Sequence, residues 1–226
     1  MANKFKTLDK MVYNLLLEKI KNGELVANEH LAEEKLAREF GVSRSPIRKA
    51  IATLTAQGIV SYHENSGAVL NDCIVDSDRY VQLMETIEIF VDAAIAKAAH
   101  FGYEMDLEKL YARMQEMERL SYLTDIENYY DAHHRFILCL ISFAENPYQV
   151  RIVKQIFFQM IHFSDGINMF KSVEIREWTN KKSNQICELL AEEETELARK
   201  TIKSMFAELT IQPTDKKSCH KSDSSF

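Results

Sequence analysis

The sequence predicts a mostly α-helical chain of two domains with one small β-hairpin near the N-terminal third. Three observations predict it. Short apolar-periodic segments flank a Gly-containing turn at residues 41–43. A period-two stretch follows Gly58. From residue 78 onward only Gly102, Pro147 and Gly166 interrupt helix-forming segments until Pro213, and no strand-like alternation appears.

The first helix is expected over residues 9–22, with Met11, Leu15, Leu16 and Ile20 on one stripe. A short second helix over 30–40 has Leu36, Ala37 and Phe40 as its apolar edge, and Gly41-Val42-Ser43 connects it to a third. The third helix begins after Ser43, a good N-cap, carries Pro46 in its first turn, where a missing N–H costs little, and stops at Gly58. Ile47, Ala50, Ile51 and Leu54 recur at i, i+3, i+4 and i+7 and must face a core. Strands at 59–62 and 68–70, with Asn65, Ser66 and Gly67 as turn residues, complete a hairpin. Two short helices joined by a three-residue turn, a covering helix and a hairpin make a winged helix-turn-helix, assigned to residues 1–72.

Opposite the apolar face of the third helix, Arg44 and Arg48 project together with Ser45 between them. Two guanidinium groups and a hydroxyl at the leading end of a helix suit the DNA major groove, where Arg reads guanine O6/N7 and binds phosphate. An ordinary solvated face is the alternative, and the turn before the helix argues against it.

These residues resemble the DNA-binding domain of the GntR family of bacterial transcription regulators. The match rests on Leu36-Ala37, on Gly41-Val-Ser-Arg-Ser-Pro-Ile-Arg48, on Ala50, Leu54 and Gly58-Ile-Val60, and on Gly67, within residues 8–72. The resemblance implies that Arg44, Ser45 and Arg48, flanked by Ser43 and Lys49, contact an operator, and that the wing from His63 to Gly67 touches the minor groove. Where family members often have Pro-Gly, this chain has Ala27-Asn28. At Glu34 some members carry a DNA-contacting Arg, for which Lys35 is a partial substitute.

Charge fits this division. Through Asp72 the chain has ten Lys/Arg against nine Asp/Glu, and the remainder has 18 against 25, within an overall net charge of −6. A weakly positive module joined to an acidic one confines DNA binding to the first. The overall charge argues against coating nucleic acid non-specifically. Cys73, Cys139, Cys187 and Cys219 are scattered without a CxxC motif and are expected as reduced thiols. With no apolar leader or membrane-length run, a soluble cytoplasmic protein without membrane partners is expected.

Helices are expected at 78–101, 106–122, 125–144, 147–164, 172–192 and 194–210, a bundle of about six over 77–211 with room for a ligand. Residues 212–226 are expected to be a disordered tail. After a GntR-type domain this segment resembles the effector-binding and dimerisation (FCD-type) domain of the FadR subfamily, through Ile87-Glu88, Asn146 and Ala198. Members often bind a divalent metal through one Asp and three His. In the register set by Asn146 and Ala198 those ligands fall on His133, Ile137, Ser183 and near Met205, and the subfamily's Arg before Glu88 falls on Met84. No cofactor is therefore expected; a metal stays open, with its usual ligands replaced. Asp131, His133, His134, Met84 and Ser183 are the candidate effector pocket. His133-His134 also fits a plain structural role, one inward polar residue and one solvated neighbour.

The expected function is sequence-specific, dimeric, palindrome-directed transcription regulation, tuned by a small molecule in the helical domain. An effector-independent regulator is the alternative. An enzyme is not expected, since no phosphate loop, nucleophile elbow or paired carboxylate frame occurs.

Overall fold

The computed structural model describes residues 2–63, 67–164 and 166–211 and divides into two compact units, Met1–Ile74 and Val75–Phe226. The expected turn residues Asn65 and Ser66 and the expected tail at 212–226 lie outside the described residues.

In the first unit α1 (Ala2–Lys21), α2 (Glu33–Phe40) and α3 (Arg44–Ala56) are followed by β1 (Val60–His63) and β2 (Gly67–Leu70). Helix α2 ends where Gly41 turns left-handed at φ 66°, which lets the Val42 N–H return to the Ala37 carbonyl at 3.0 Å. Helix α3 buries Ile47, Ala50, Ile51 and Leu54, and the three large side chains, Ile47, Ile51 and Leu54, each stabilise by about 1.5–3 kcal/mol. The strands are antiparallel, with Val60 opposite Leu70 and His63 opposite Gly67.

Three local expectations are corrected. The buried stripe of α1 is Val12, Leu16, Leu17 and Ile20, while Met11 is 44% exposed. Ser43 occupies the N-cap position of α3 with extended backbone, yet its hydroxyl makes no capping bond. Residues 30–32 are not helical: His30 forms an antiparallel bridge with Val69, adding a short third edge to the hairpin. That bridge is strengthened by Leu31 N–H donating to the Ala68 carbonyl at 2.8 Å and Leu70 N–H donating to the Glu29 carbonyl at 2.9 Å.

The second unit contains α4 (Ser77–Phe101), α5 (Leu107–Ser121), α6 (Ile126–Ser142), α7 (Pro147–Phe163), α8 (Val173–Ala191) and α9 (Thr195–Ile211). A 3-10 helix, Gly166–Lys171, which sequence periodicity did not predict, sits between α7 and α8. Side-chain caps start the helices: Asp76, Asp106, Asp125, Asn146 and Ser172 each accept from a backbone N–H two or three residues on. Helix α6 is central and buries Tyr129, Tyr130, Phe136, Ile137 and Leu140 along one side. Arg199 of α9 grips Asp92 of α4 through two 2.8 Å bonds, fixing those helices in register.

Candidate nucleic-acid interface and effector pocket

The reading face follows from the burial of α3. With Ile47, Ala50, Ile51 and Leu54 turned inward, Arg44, Ser45, Arg48, Lys49 and Ala52 are left exposed and line one shallow open depression. Four of the residues expected at the DNA are thus brought together on one surface.

Their charges are already engaged within the domain. Arg48 donates side-on to Glu33, from Nε to Oε1 at 3.1 Å and from Nη2 to Oε2 at 2.9 Å. Arg44 Nε stands 3.9 Å from the same Oε2. Lys49 pairs with Asp9 at 2.8 Å, and Lys35 lies 3.8 Å from Glu29. The hydrogen bond from Arg48 holds the Glu33 carboxyl below the usual carboxylate range, and Glu33 raises the Arg48 guanidinium in turn. Sequence reasoning missed Glu33; its partner is fifteen residues away, and only the turn at 41–43 brings them together.

At the wing, His63 Nε2 and Ser61 Oγ are hydrogen-bonded at 3.0 Å, Ser61 donates to Asn71 Oδ1 at 2.8 Å, and Asn71 donates to the Gly58 carbonyl at 2.8 Å. His63 and Tyr62 are exposed. Gly67 has φ +64°, a left-handed conformation that selects glycine, and a Cβ there would stand 3.1 Å from Nε2 of the exposed His30 ring.

In the helical unit the expected pocket residues separate. Asp131 is 52% exposed at its side chain and pairs with Arg135, which also reaches Glu116 at 3.1 Å. It therefore stands outside the buried group, because its position on α6 faces away from the core. His133 and His134 are both buried, so neither is the solvated neighbour of the plain structural reading. The His134 ring stacks on Phe157 at 3.8 Å and meets the Tyr130 ring edge-on at 4.0 Å. Phe170, from the 3-10 helix, is fully buried, with Tyr129 and Tyr130 each at 5.4 Å and His133 at 5.6 Å between ring centroids. Met84 on α4 and Ser183 on α8 are buried on inner faces of their helices.

Among the described residues several buried polar atoms of the helical unit have no hydrogen-bond partner: Tyr130 Oη, both ring nitrogens of His133 and His134 Nδ1, and separately Ser183 Oγ. Burial pushes His133 down to about 4 and His134 well below the usual histidine range, so both imidazoles are neutral at physiological pH. Each can donate from one nitrogen and accept at the other. Unsatisfied buried groups of this kind cost roughly 1–3 kcal/mol each, which makes the cluster the chemically unsettled part of the bundle.

Among the described residues no group of three or more His, Cys, Asp or Glu side chains is placed to hold a divalent metal. Ile137 and Met205, where the family's ligands would fall, are buried apolar side chains that cannot ligate a hard ion. Nor is any helix, among the described residues, long and apolar enough to cross a membrane.

Comparison with known proteins agrees with both halves. Residues 8–70 match the bacterial regulatory proteins of the gntR family, and residues 81–208 match the FCD domain. The uncharacterised HTH-type transcriptional regulator YdhC of Bacillus subtilis is 27% identical over 159 residues, covering 69% of each chain. The HTH-type transcriptional regulator LutR of the same organism is 28% identical over 56% of this chain and 64% of its own. A solved structure described by the statement that Lar controls the expression of the Listeria monocytogenes agr system and mediates virulence is 93% identical. It covers 92% of this chain and 96% of its own, with a TM-score of 0.85. A GntR regulator structure from Rhodococcus sp. RHA1, at 16% identity and TM-score 0.63, shares the fold. The chain belongs to the GntR family of bacterial DNA-binding transcription regulators, in the FadR-type arrangement of a winged helix-turn-helix followed by an FCD effector-binding domain.

Proposed function

We propose that the chain works as a cytoplasmic homodimer, presenting two copies of α3 to a palindromic operator whose half-site spacing is set by the twofold axis. The observation that carries this reading is the exposed face of α3, where Arg44, Ser45, Arg48 and Lys49 share one surface. Outward-facing Ile89 on α4 and Tyr148 and Ile152 on α7 supply apolar surface for a second copy. The 93% identical relative supports control of an agr system's expression as the regulated output.

The effector site in this reading is the neutral polar cluster of Tyr130, His133 and His134, acting without a metal. Phe170 stands among its rings. An uncharged small molecule that offers hydrogen bonds and takes the place of the Phe170 ring would satisfy those atoms, and its preference for the opened arrangement would set the coupling to DNA. That Phe170 already fills the space favours a second reading, an effector-independent regulator whose FCD domain serves dimerisation alone. The chain has no enzymatic role in either reading.

Native mass spectrometry with elemental analysis, followed by anisotropy titration on agr control-region DNA at several salt concentrations, tests the proposal. A metal-free dimer with salt-sensitive, saturable binding is expected. A stable monomer, or no binding distinguishable from random DNA, would sink it. Stoichiometric metal would overturn the metal-free site.

A further inference from the structure

Arg48 engages Glu33 through one particular edge. Its Nε–H and one Nη2–H face the carboxylate, at 3.1 and 2.9 Å. A guanidinium has five N–H donors in a rigid fork, so this side-on pairing leaves the opposite, end-on edge, both hydrogens of Nη1 and the second of Nη2, without a partner among the described residues. A two-donor edge of that kind matches guanine, which presents O6 and N7 side by side in the major groove.

Glu33 is suited to act as the fixed half of the pair. It is the first residue of α2, where the positive end of the helix dipole favours a carboxylate. Its side chain is 21% exposed against 65% for Arg48, so the carboxylate is the anchored end and the guanidinium the outward one. Holding the guanidinium before DNA arrives removes side-chain freedom that would otherwise be lost on binding. The pair is also nearly neutral, which weakens its attraction for a bare phosphate relative to a base edge.

We propose that Glu33 is a positioning residue for DNA reading: it holds Arg48 side-on, so that the end-on Nη1/Nη2 edge meets the O6/N7 edge of one guanine in each operator half-site. Arg48 is then a base-reading residue. The inference rests on the DNA-binding function of the family and adds which edge of which arginine reads a base, and what aims it.

The test uses full-length protein with Glu33→Gln, Glu33→Asp, Arg48→Ala and the double Glu33→Gln/Arg48→Ala, titrated on a footprinted operator, on its single-base-pair variants and on random DNA. Glu33→Gln keeps shape but not charge, and Glu33→Asp keeps charge but is one methylene short. Both are expected to lose about tenfold in operator affinity, the scale of one bidentate base contact, with random-DNA binding unchanged or higher. The lost discrimination is expected at one G·C pair, the same pair at which Arg48→Ala becomes indifferent. The double variant should bind no worse than Arg48→Ala alone. Circular dichroism melts confirm that the variants fold, and the operator-to-random ratio within each variant remains informative if one melts early. If Glu33→Gln instead binds operator and random DNA more tightly alike, with a salt slope steeper by about one, Glu33 is only an electrostatic brake displaced by phosphate and the proposal fails. Unchanged discrimination at every base pair overturns it as well.

Discussion

Arg176, buried on α8, donates from Nη1 to the Phe170 carbonyl at 2.6 Å and from Nε to the Ser121 carbonyl at 2.7 Å. Its guanidinium also lies 6.0 Å from the Tyr129 ring centre, and the Tyr129 hydroxyl returns a bond to the Arg176 carbonyl at 3.1 Å. Ser121 is the last residue of α5, so the cation rests on the negative end of that helix, where the orphan carbonyls need a donor. One buried side chain therefore ties α5, α8 and the 3-10 helix carrying Phe170 into a single unit.

Arg176→Met, which keeps length and removes the donors, is expected to destabilise the protein by about 2–4 kcal/mol, because two buried carbonyls lose a charged donor. Arg176→Lys should recover only part of this, since one ammonium cannot reproduce the fork that reaches both carbonyls. Urea unfolding with an unchanged slope measures it. A loss within experimental error would show that the carbonyls find other partners.

Gly166 is selected by contact rather than by backbone angle. A Cβ built there would overlap Tyr80 Cε2 and stand 2.8 Å from Cδ2, on a ring that is itself buried. Gly166→Ala is expected to cost about 1–3 kcal/mol through this overpacking. Tyr80→Phe should give no relief, because the clash is with ring carbons. Tyr80→Leu, destabilising by itself, should cost less in the Gly166→Ala background than alone. A thermal-unfolding double-mutant cycle checks this, and strict additivity would refute it.

How far the sequence could foresee these features depends on the range of the interaction involved. The recognition helix was legible because Ile47, Ala50, Ile51 and Leu54 are a clean helical stripe between a glycine turn and a glycine stop, and all four are buried. Helix α1 carries two adjacent apolar stripes, one through Met11 and Leu15 and one through Val12 and Leu16. Periodicity supports both, and only the packing against α3 chooses the second. The six-residue 3-10 helix is too short to show a period. His30 looked helical by its neighbours but is claimed by the bridge to Val69. The Arg48–Glu33 and Arg176–Phe170 relationships depend on tertiary approach and leave no local signal. Among pocket residues, the His133-His134 pair was visible as a motif, but that both rings point inward while Asp131 points out is decided by the orientation of α6 in the bundle.

Acid should destabilise the helical unit through these histidines. His133 sits at about 4 in the folded protein against 6.5 for an exposed side chain, lowered by burial, and His134 is lowered by burial and then by His133 and Arg135. Below pH 6.5 the unfolded chain takes up protons that the folded chain refuses, so stability is fully present above 6.5 and falls as pH drops toward 4. His133 alone contributes at most about 3 kcal/mol to this fall. His133→Gln is expected to flatten the stability profile between pH 6.5 and 4 without changing it between 7 and 8. A profile identical to the parent in the acid window would place the proton uptake elsewhere.

Phe170 gives the sharpest test of whether the neutral polar cluster is a ligand site or merely an imperfect core. Phe170→Ala removes a ring enclosed by Tyr129, Tyr130 and His133 and is expected to cost about 3–5 kcal/mol, the range for burying a cavity of that size. A void of about that size with purely apolar walls takes up benzene-like molecules. The unpartnered nitrogens of His133 and the Tyr130 hydroxyl change that expectation, since a guest bearing a hydroxyl can satisfy one of them while toluene leaves all of them bare. Phenol should therefore raise the melting temperature of Phe170→Ala more than toluene does at equal free concentration, although toluene is the more readily desolvated of the two. Adding His133→Phe should reverse that order while leaving toluene binding in place. Equal responses to phenol and toluene in Phe170→Ala would mean that the cluster exerts no polar selection, and the effector would have to be sought elsewhere in the bundle.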